Sequence, residues 1–344
     1  MGHYYGSIFV VRAVVISNCA DKIIQDIPPP ELYHYTSQKG LIGMINSRKM
    51  WATNIFYLND ASEYTYAKDM ILKMLRCRLV EITGERIPHS RALSLRTASG
   101  WYDDKKITDP DLTPEYRQCI FIESIMEFMQ SLKMDDEVIP IYILSFTERK
   151  DDLSQWRGYC PHEIGFCLEF DTTGLIEQMK KAGLAIVRCI YETGEQEQEI
   201  KKIMERVIDD LKVVFDNFDK PEDQGKAIKK LERKAVLDFW GLMPILKDKA
   251  FEDENEWRFI SAGNKLPAKF REGKSMFVPY VEIPLASADA ALMESSEPIN
   301  IIKRILVGPT PHRILSKKSV ELLLKTNKMT QCQVELSKVP YRTW

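Results

Sequence analysis

The chain has 344 residues, 44% hydrophobic and 28% charged, a globular balance that excludes global disorder. Its 48 basic and 50 acidic side chains leave a formal charge of −2, so it lacks the broad electrostatic footprint of a nucleic-acid coat, although a local basic patch survives that argument. Seven cysteines with no C-x-x-C pair, and five scattered histidines, fit neither a disulfide scaffold nor a zinc knuckle; free thiols in a reducing cytosol are the simplest reading.

In chain order, the Val- and Ile-rich run 8–16 reads as a strand. Arg12 interrupts it, so it suits neither a membrane span nor a signal peptide, and no membrane partner and a cytoplasmic location are expected. Three prolines at 28–30 punctuate the chain before a short strand at 32–36, a short helix at 38–46 and an extended piece at 51–53. Asn59 or Asp60 can cap the helix that follows, 64–80, whose Met70, Ile71, Met74, Leu75 and Leu79 share a face. Residues 84–113 read as a polar loop. Pro114 suits the first turn of a helix to about 134.

The stretch 139–147 is almost wholly apolar, as a central strand covered on both faces should be. A helical turn or loop at 153–159 precedes strands at 164–170 and 185–191. A charged, periodic helical block runs from 194 to about 249, broken near 219–221. Strands at 257–261, 276–283 and 301–307, a helix at 316–326 and a strand at 333–339 complete the chain. Helices inserted in blocks between irregularly spaced strands predict an α+β fold rather than a doubly wound parallel sheet. The expected organisation is one domain, 1–344, with its core in 31–310, a loop and helical insertion at 84–135 and a helical insertion at 194–250.

The motifs of a Rossmann dinucleotide site, a P-loop and a nucleophile elbow are all missing from the sequence. Four clusters carry other chemistry. His34, between Tyr33 and Tyr35 on a strand, can point into a cleft and donate to a ribose hydroxyl or a carboxamide, or can be a core histidine with one backbone partner. Ser145-Phe146-Thr147 ends the central strand and precedes Trp156-Arg157-Gly158-Tyr159. Arg157 there suits a phosphate beside a stacked ring, or braces a loop. Glu252 to Glu256 crowd acids before Trp257-Arg258. Strand alternation would put Glu254 and Glu256 on one face, where mutual repulsion raises one pKa and a nearby cation would relieve both; a solvated acidic turn is the other reading. Leu58-Asn59-Asp60 is a helix cap.

Taken together, LYHYTSQKGLIGMI (32–45), WATNIFYLNDASE (51–63), LSFTERKDDLSQWRGY (144–159), GFCLEFD (165–171) and FEDENEWR (251–258) resemble a bacterial family known as domain of unknown function 2971. The similarity spans about 31–260, with weaker agreement at ILVGP and VPYR. That family in turn resembles the ADP-ribosyltransferase fold, which implies a mixed, mostly antiparallel split sheet. His34 matches its first motif, Ser145-Phe146-Thr147 its S-T-S-like second and Glu254-Asn255-Glu256 its E-x-E third, in the right order. The second motif lacks a clear stacking tyrosine, so Phe146, Trp156 or Tyr159 would serve. The helical block and the 84–113 loop stand outside a minimal transferase core.

The resemblance implies an NAD-consuming enzyme, a transferase or a glycohydrolase, with NAD as substrate, no metal, and a protein or nucleic-acid acceptor, working in bacterial defence. Its implied catalytic groups are Glu256, Glu254 and His34. Glu256 would stabilise an oxocarbenium-like cation and Glu254 would orient the nucleophile. The implied nucleotide contacts are His34, Tyr35, Thr36, Ser145, Phe146, Thr147, Trp156, Arg157 and Tyr159, with Arg157 at the pyrophosphate. Two alternatives stay open: a module that binds a nucleotide without turning it over, and a buried polar network of His34, Arg157 and Glu256 that holds the sheet together.

Overall fold

A computed structural model describes residues 27–58, 62–84, 107–131, 140–160, 164–262, 266–273, 275–285 and 301–341. In chain order they form β1 (Glu31–Ser37), α1 (Gln38–Ser47), β2 (Lys49–Asn54), α2 (Ser62–Thr83), α3 (Pro114–Ser131), β3 (Ile141–Thr147), α4 (Leu153–Tyr159), β4 (Gly165–Asp171), α5 (Thr172–Lys181) and β5 (Ala185–Arg188). Then follow α6 (Thr193–Asn217), α7 (Pro221–Leu242), β6 (Glu256–Ala262), β7 (Lys269–Glu272), β8 (Phe277–Pro284), β9 (Ile302–Val307), α8 (Arg313–Thr326) and β10 (Gln333–Leu336). This is an α+β fold on one largely antiparallel open sheet.

Alternation along β3 dictates the layers. Ile141 and Ile143 point one way, Tyr142, Leu144 and Phe146 the other, and all five are buried. Helices must therefore cover both faces. On the Ile143 side lie α2, α3, α6 and α7, with Ile71, Phe121, Val207 and Phe239 among the packed residues. On the Phe146 side lie α1, α5 and α8, through Leu41, Leu175 and Leu324. Each such side chain contributes roughly 1.5–3 kcal/mol on burial.

The sheet runs β10-β9-β4-β1-β3-β2-β8-β7, with β6 also paired to β3 and β5 to β6. All pairs are antiparallel except β9 with β10. One edge of β3 is fully paired to β6, from Ile141↔Ala262 to Thr147↔Glu256. Its other edge is shared. β1 meets it at Tyr33↔Thr147, and β2 meets it at Thr53↔Ile143 and Asn54↔Tyr142. Beyond those points β1 follows β4 and β2 follows β8. The sheet therefore splits between β1 and β2, and α1 bridges the gap.

Most expected elements appear within a few residues of their predicted ends. The 8–16 strand, most of the 84–113 loop, and Asn59 and Asp60 lie outside the described residues. The 185–191 strand stops at Arg188; Cys189 N–H then donates to the Glu256 carbonyl, and Ile190 makes an isolated bridge to Leu246. Two elements escape the sequence reading. Helix α5 follows Asp171, whose carboxylate caps the Gly174 N–H at 3.1 Å; the Asp-Thr-Thr-Gly run reads as a turn until that cap is seen. Strand β7 is four exposed residues with no apolar alternation to detect. Among the described residues no helix is long and apolar enough to cross a membrane.

Candidate functional site

The divergence of β1 and β2 opens a cleft of about 360 Å³ in the sheet, the size of a small-ligand pocket. On β3, the face that carries Ile141 and Ile143 under the helices turns polar at Ser145 and Thr147, and there the cleft lies. His34, Tyr35, Thr36, Ser145, Phe146, Thr147, Tyr159, Glu254 and Glu256 all line it. By alternation His34 belongs to the Phe146 face and Glu256 to the Thr147 face, so in an unbroken sheet no single hollow would reach both. The split lets it.

The His34 ring stands 5.5 Å from Phe146, with Nδ1 2.9 Å from the Ser145 carbonyl oxygen. That oxygen can only accept, so Nδ1 carries the proton. Burial holds the imidazole pKa below its ordinary 6.5, so the ring is neutral at pH 7 and its Nε2 is an acceptor. Sequence reasoning cast His34 as a donor; the tautomer makes it an acceptor for a hydroxyl. The Tyr35 hydroxyl is occupied, donating to the Arg149 carbonyl at 3.0 Å and accepting from the Asp152 N–H at 2.9 Å. Thr147 Oγ1 donates to the Glu254 carbonyl and accepts from the Arg149 N–H, which ties β3 to the turn that carries Glu254. Phe146 is packed among Phe170, Phe259 and His34.

The acidic wall is a charge network. Lys247 Nζ lies 2.7 Å from Glu256, 2.5 Å from Glu254 and 3.1 Å from Glu63. Arg258 grips both oxygens of Glu256, through Nε at 2.8 Å and Nη2 at 2.9 Å, and reaches Glu63 at 2.7 Å and the Pro244 carbonyl at 2.6 Å. Three carboxylates thus face two cations, and one negative charge is left over. Glu256 opposes its burial with both cations, and its pKa falls to about 2. Glu254 responds differently: burial pushes its pKa up, with Lys247 pulling against that and Glu256 and Glu63 adding to it. The side chain of Glu254 is 25% exposed and that of Glu256 4%. Strand alternation is not what brings them together. Glu254 ends a 3₁₀ turn, and Asn255 (φ 41°, ψ 55°) turns the chain left-handed before β6 begins.

Two expected contacts are elsewhere. Trp156 is a packing residue, 1% exposed, edge-on to Tyr35 at 4.7 Å and donating from Nε1 to Asp151. Arg157 is exposed, does not line the cleft, and stacks its guanidinium 5.2 Å from the Tyr341 ring. An α-helix at 153–159 explains both: with Gln155 and Tyr159 four apart on the cleft side, the residues between them turn away. His34, Arg157 and Glu256 therefore do not form one network.

Sequence reasoning missed Glu63, Lys247, Arg258, Trp51, Thr53 and Arg271. Glu63, Arg258, Trp51 and Thr53 stand inside the motifs quoted above; Lys247, a lone cation after the apolar run Met243–Leu246, was a visible signal. Among the described residues no cluster of His, Cys, Asp and Glu is arranged to hold a metal.

Residues 155–259 match the model of a family described as Protein of unknown function (DUF2971). The matched stretch holds Lys247, Glu254, Glu256 and Arg258 but neither β1 nor β3. It is less than a third of the chain, narrower than the 31–260 over which the quoted motifs resemble DUF2971. No curated protein and no solved structure matches the chain.

Proposed function

We propose that the cleft binds NAD and cleaves its nicotinamide–ribose bond, as an ADP-ribosyltransferase or NAD glycohydrolase. One observation carries the reading: a neutral histidine acceptor and a carboxylate pair with one surplus negative charge line the same nucleotide-sized cleft. The motif order shared with ADP-ribosyltransferases and a sheet split at β3 support it too, and a role in bacterial defence is part of the proposal.

The chemistry divides as follows. His34 Nε2 accepts from a ribose hydroxyl and fixes the sugar. The C–N bond breaks, and its electron pair stays on the nicotinamide nitrogen. The cation left at the anomeric carbon is stabilised by the acidic wall. Water, or an acceptor side chain, then attacks that carbon and gives its proton to Glu254, the exposed carboxylate with the raised pKa. Glu256, sealed between Lys247 and Arg258, is a positioning residue that holds the wall together.

The test is nicotinamide release from NAD by the purified chain. Release by wild type, falling at least about a hundredfold in Glu254→Gln with an unchanged melting temperature, is the expected result. No release, with or without protein and nucleic-acid acceptors, overturns it. The neutralisation of Glu256 favours a second reading, nucleotide binding without turnover; it predicts stabilisation by ADP-ribose and no product.

A further inference from the structure

We infer that Arg271, with Thr53 and Trp51, forms an anion subsite in the arm of the cleft away from Glu254 and Glu256, and that it takes the phosphates of the ligand. This rests on the nucleotide reading above and deepens it by naming the residues that meet the diphosphate.

Arg271 lies on β7, the exposed edge strand, opposite Val278 of β8. Its side chain crosses β8 to reach β2. Nη2 donates to Thr53 Oγ1 at 3.1 Å, and the guanidinium carbon stands 6.0 Å from the Trp51 ring centre, near enough for a cation–π contact. Trp51 is itself held by the Tyr280 ring at 5.0 Å. Arg271, Trp51 and Thr53 all line the cleft.

Charge is what separates Arg271 from its neighbours. Lys49 and Lys269 share Glu282, at 2.7 and 2.9 Å. Lys39 pairs with Glu272 at 3.7 Å, and Lys247 has three carboxylates. Among the described residues no carboxylate lies within ion-pair distance of Arg271. A planar cation with no acid paired to it suits phosphate oxygens, which a guanidinium grips two at a time. The cleft then has opposite polarity at its ends, surplus acid by β6 and surplus base by β7. A dinucleotide with a cationic ring and a diphosphate matches both ends; a nucleoside matches one.

Calorimetric titration of the full chain with ADP-ribose and with adenosine tests this. Wild type should bind ADP-ribose at least tenfold more tightly than adenosine. Arg271→Ala should weaken ADP-ribose at least tenfold and leave adenosine binding and melting temperature unchanged. Arg271→Gln, which can keep the bond to Thr53, should lose affinity as the Ala variant does, because charge is what the phosphates require. Equal affinity of wild type for the two ligands, or unweakened ADP-ribose binding by both variants, overturns the subsite and leaves the nucleotide reading standing. Failure of wild type to bind either ligand overturns both.

Discussion

At the scale of single residues, the glutamates of the late motif have different jobs although they stand two apart. Glu256 pairs with two buried cations, and Arg258 holds both of its oxygens. Removing its charge leaves Lys247 and Arg258 sharing Glu63 and Glu254. Glu256→Gln is therefore expected to cost about 1.5–3 kcal/mol in a denaturant titration, because Arg258 loses a charge-assisted two-point grip while both cations keep a carboxylate. A midpoint that barely moves would mean the network relaxes around the amide. Loss of turnover in that variant would not by itself identify a catalytic group, which is why Glu254→Gln is the better probe of chemistry. The motif made both acids visible as candidates. It could not rank them, because rank depends on Lys247 and Glu63, which come from other parts of the chain.

At the scale of elements, α4 shows how one helix sorts three neighbouring candidates. Asp152 caps it, accepting from the Ser154 and Gln155 N–H groups at 2.8 and 3.3 Å, and these bonds help hold the Asp152 pKa below its usual value against burial. The helix then buries Trp156, puts Tyr159 at the cleft and sends Arg157 to solvent. Asp152→Ala should lower stability by about 1 kcal/mol, read from thermal melts, as loss of an N-cap does. It should also loosen the loop at 149–152, since the Asp152 carboxylate pairs with Arg149 at 3.6 Å. A string of polar and aromatic letters after a buried strand marked this loop as a site correctly in kind. Reading it as extended would have sent the wrong side chains inward; helical period decided the matter.

At the scale of the whole molecule, the pKa shifts act on stability with opposite signs. The His34 pKa is lowered, so the fold prefers the neutral ring; that contribution is complete above pH 6.5 and is lost as pH falls through the lower folded value. The Glu256 contribution is complete above about 4.5 and disappears toward pH 2. Glu254 is shifted upward, so its contribution is complete below 4.5 and is lost as pH rises through its folded value. Between pH 7 and pH 5, His34 should therefore pull the melting temperature down while Glu254 pulls it up, and comparison with His34→Gln isolates the first. His34→Gln should remove that downward pull, and an unchanged slope would assign it to another group.

Local pattern settled much of this protein. Hydrophobic period placed nearly every described strand and helix, and the blocks of helix between strands fixed the class as α+β, because burial of one face is a requirement each segment meets with its own side chains. It also marked His34 and the glutamates, since such groups are costly inside a strand or at its entrance. What the segments could not contain was their mutual placement. The split between β1 and β2, the bonds of Lys247 and Arg258 to Glu63, and the reach of Arg271 across a strand to Thr53 each join residues far apart in the chain. Those pairings are set by which strand edges and charges meet once the sheet closes, and that is a property of the packed chain alone.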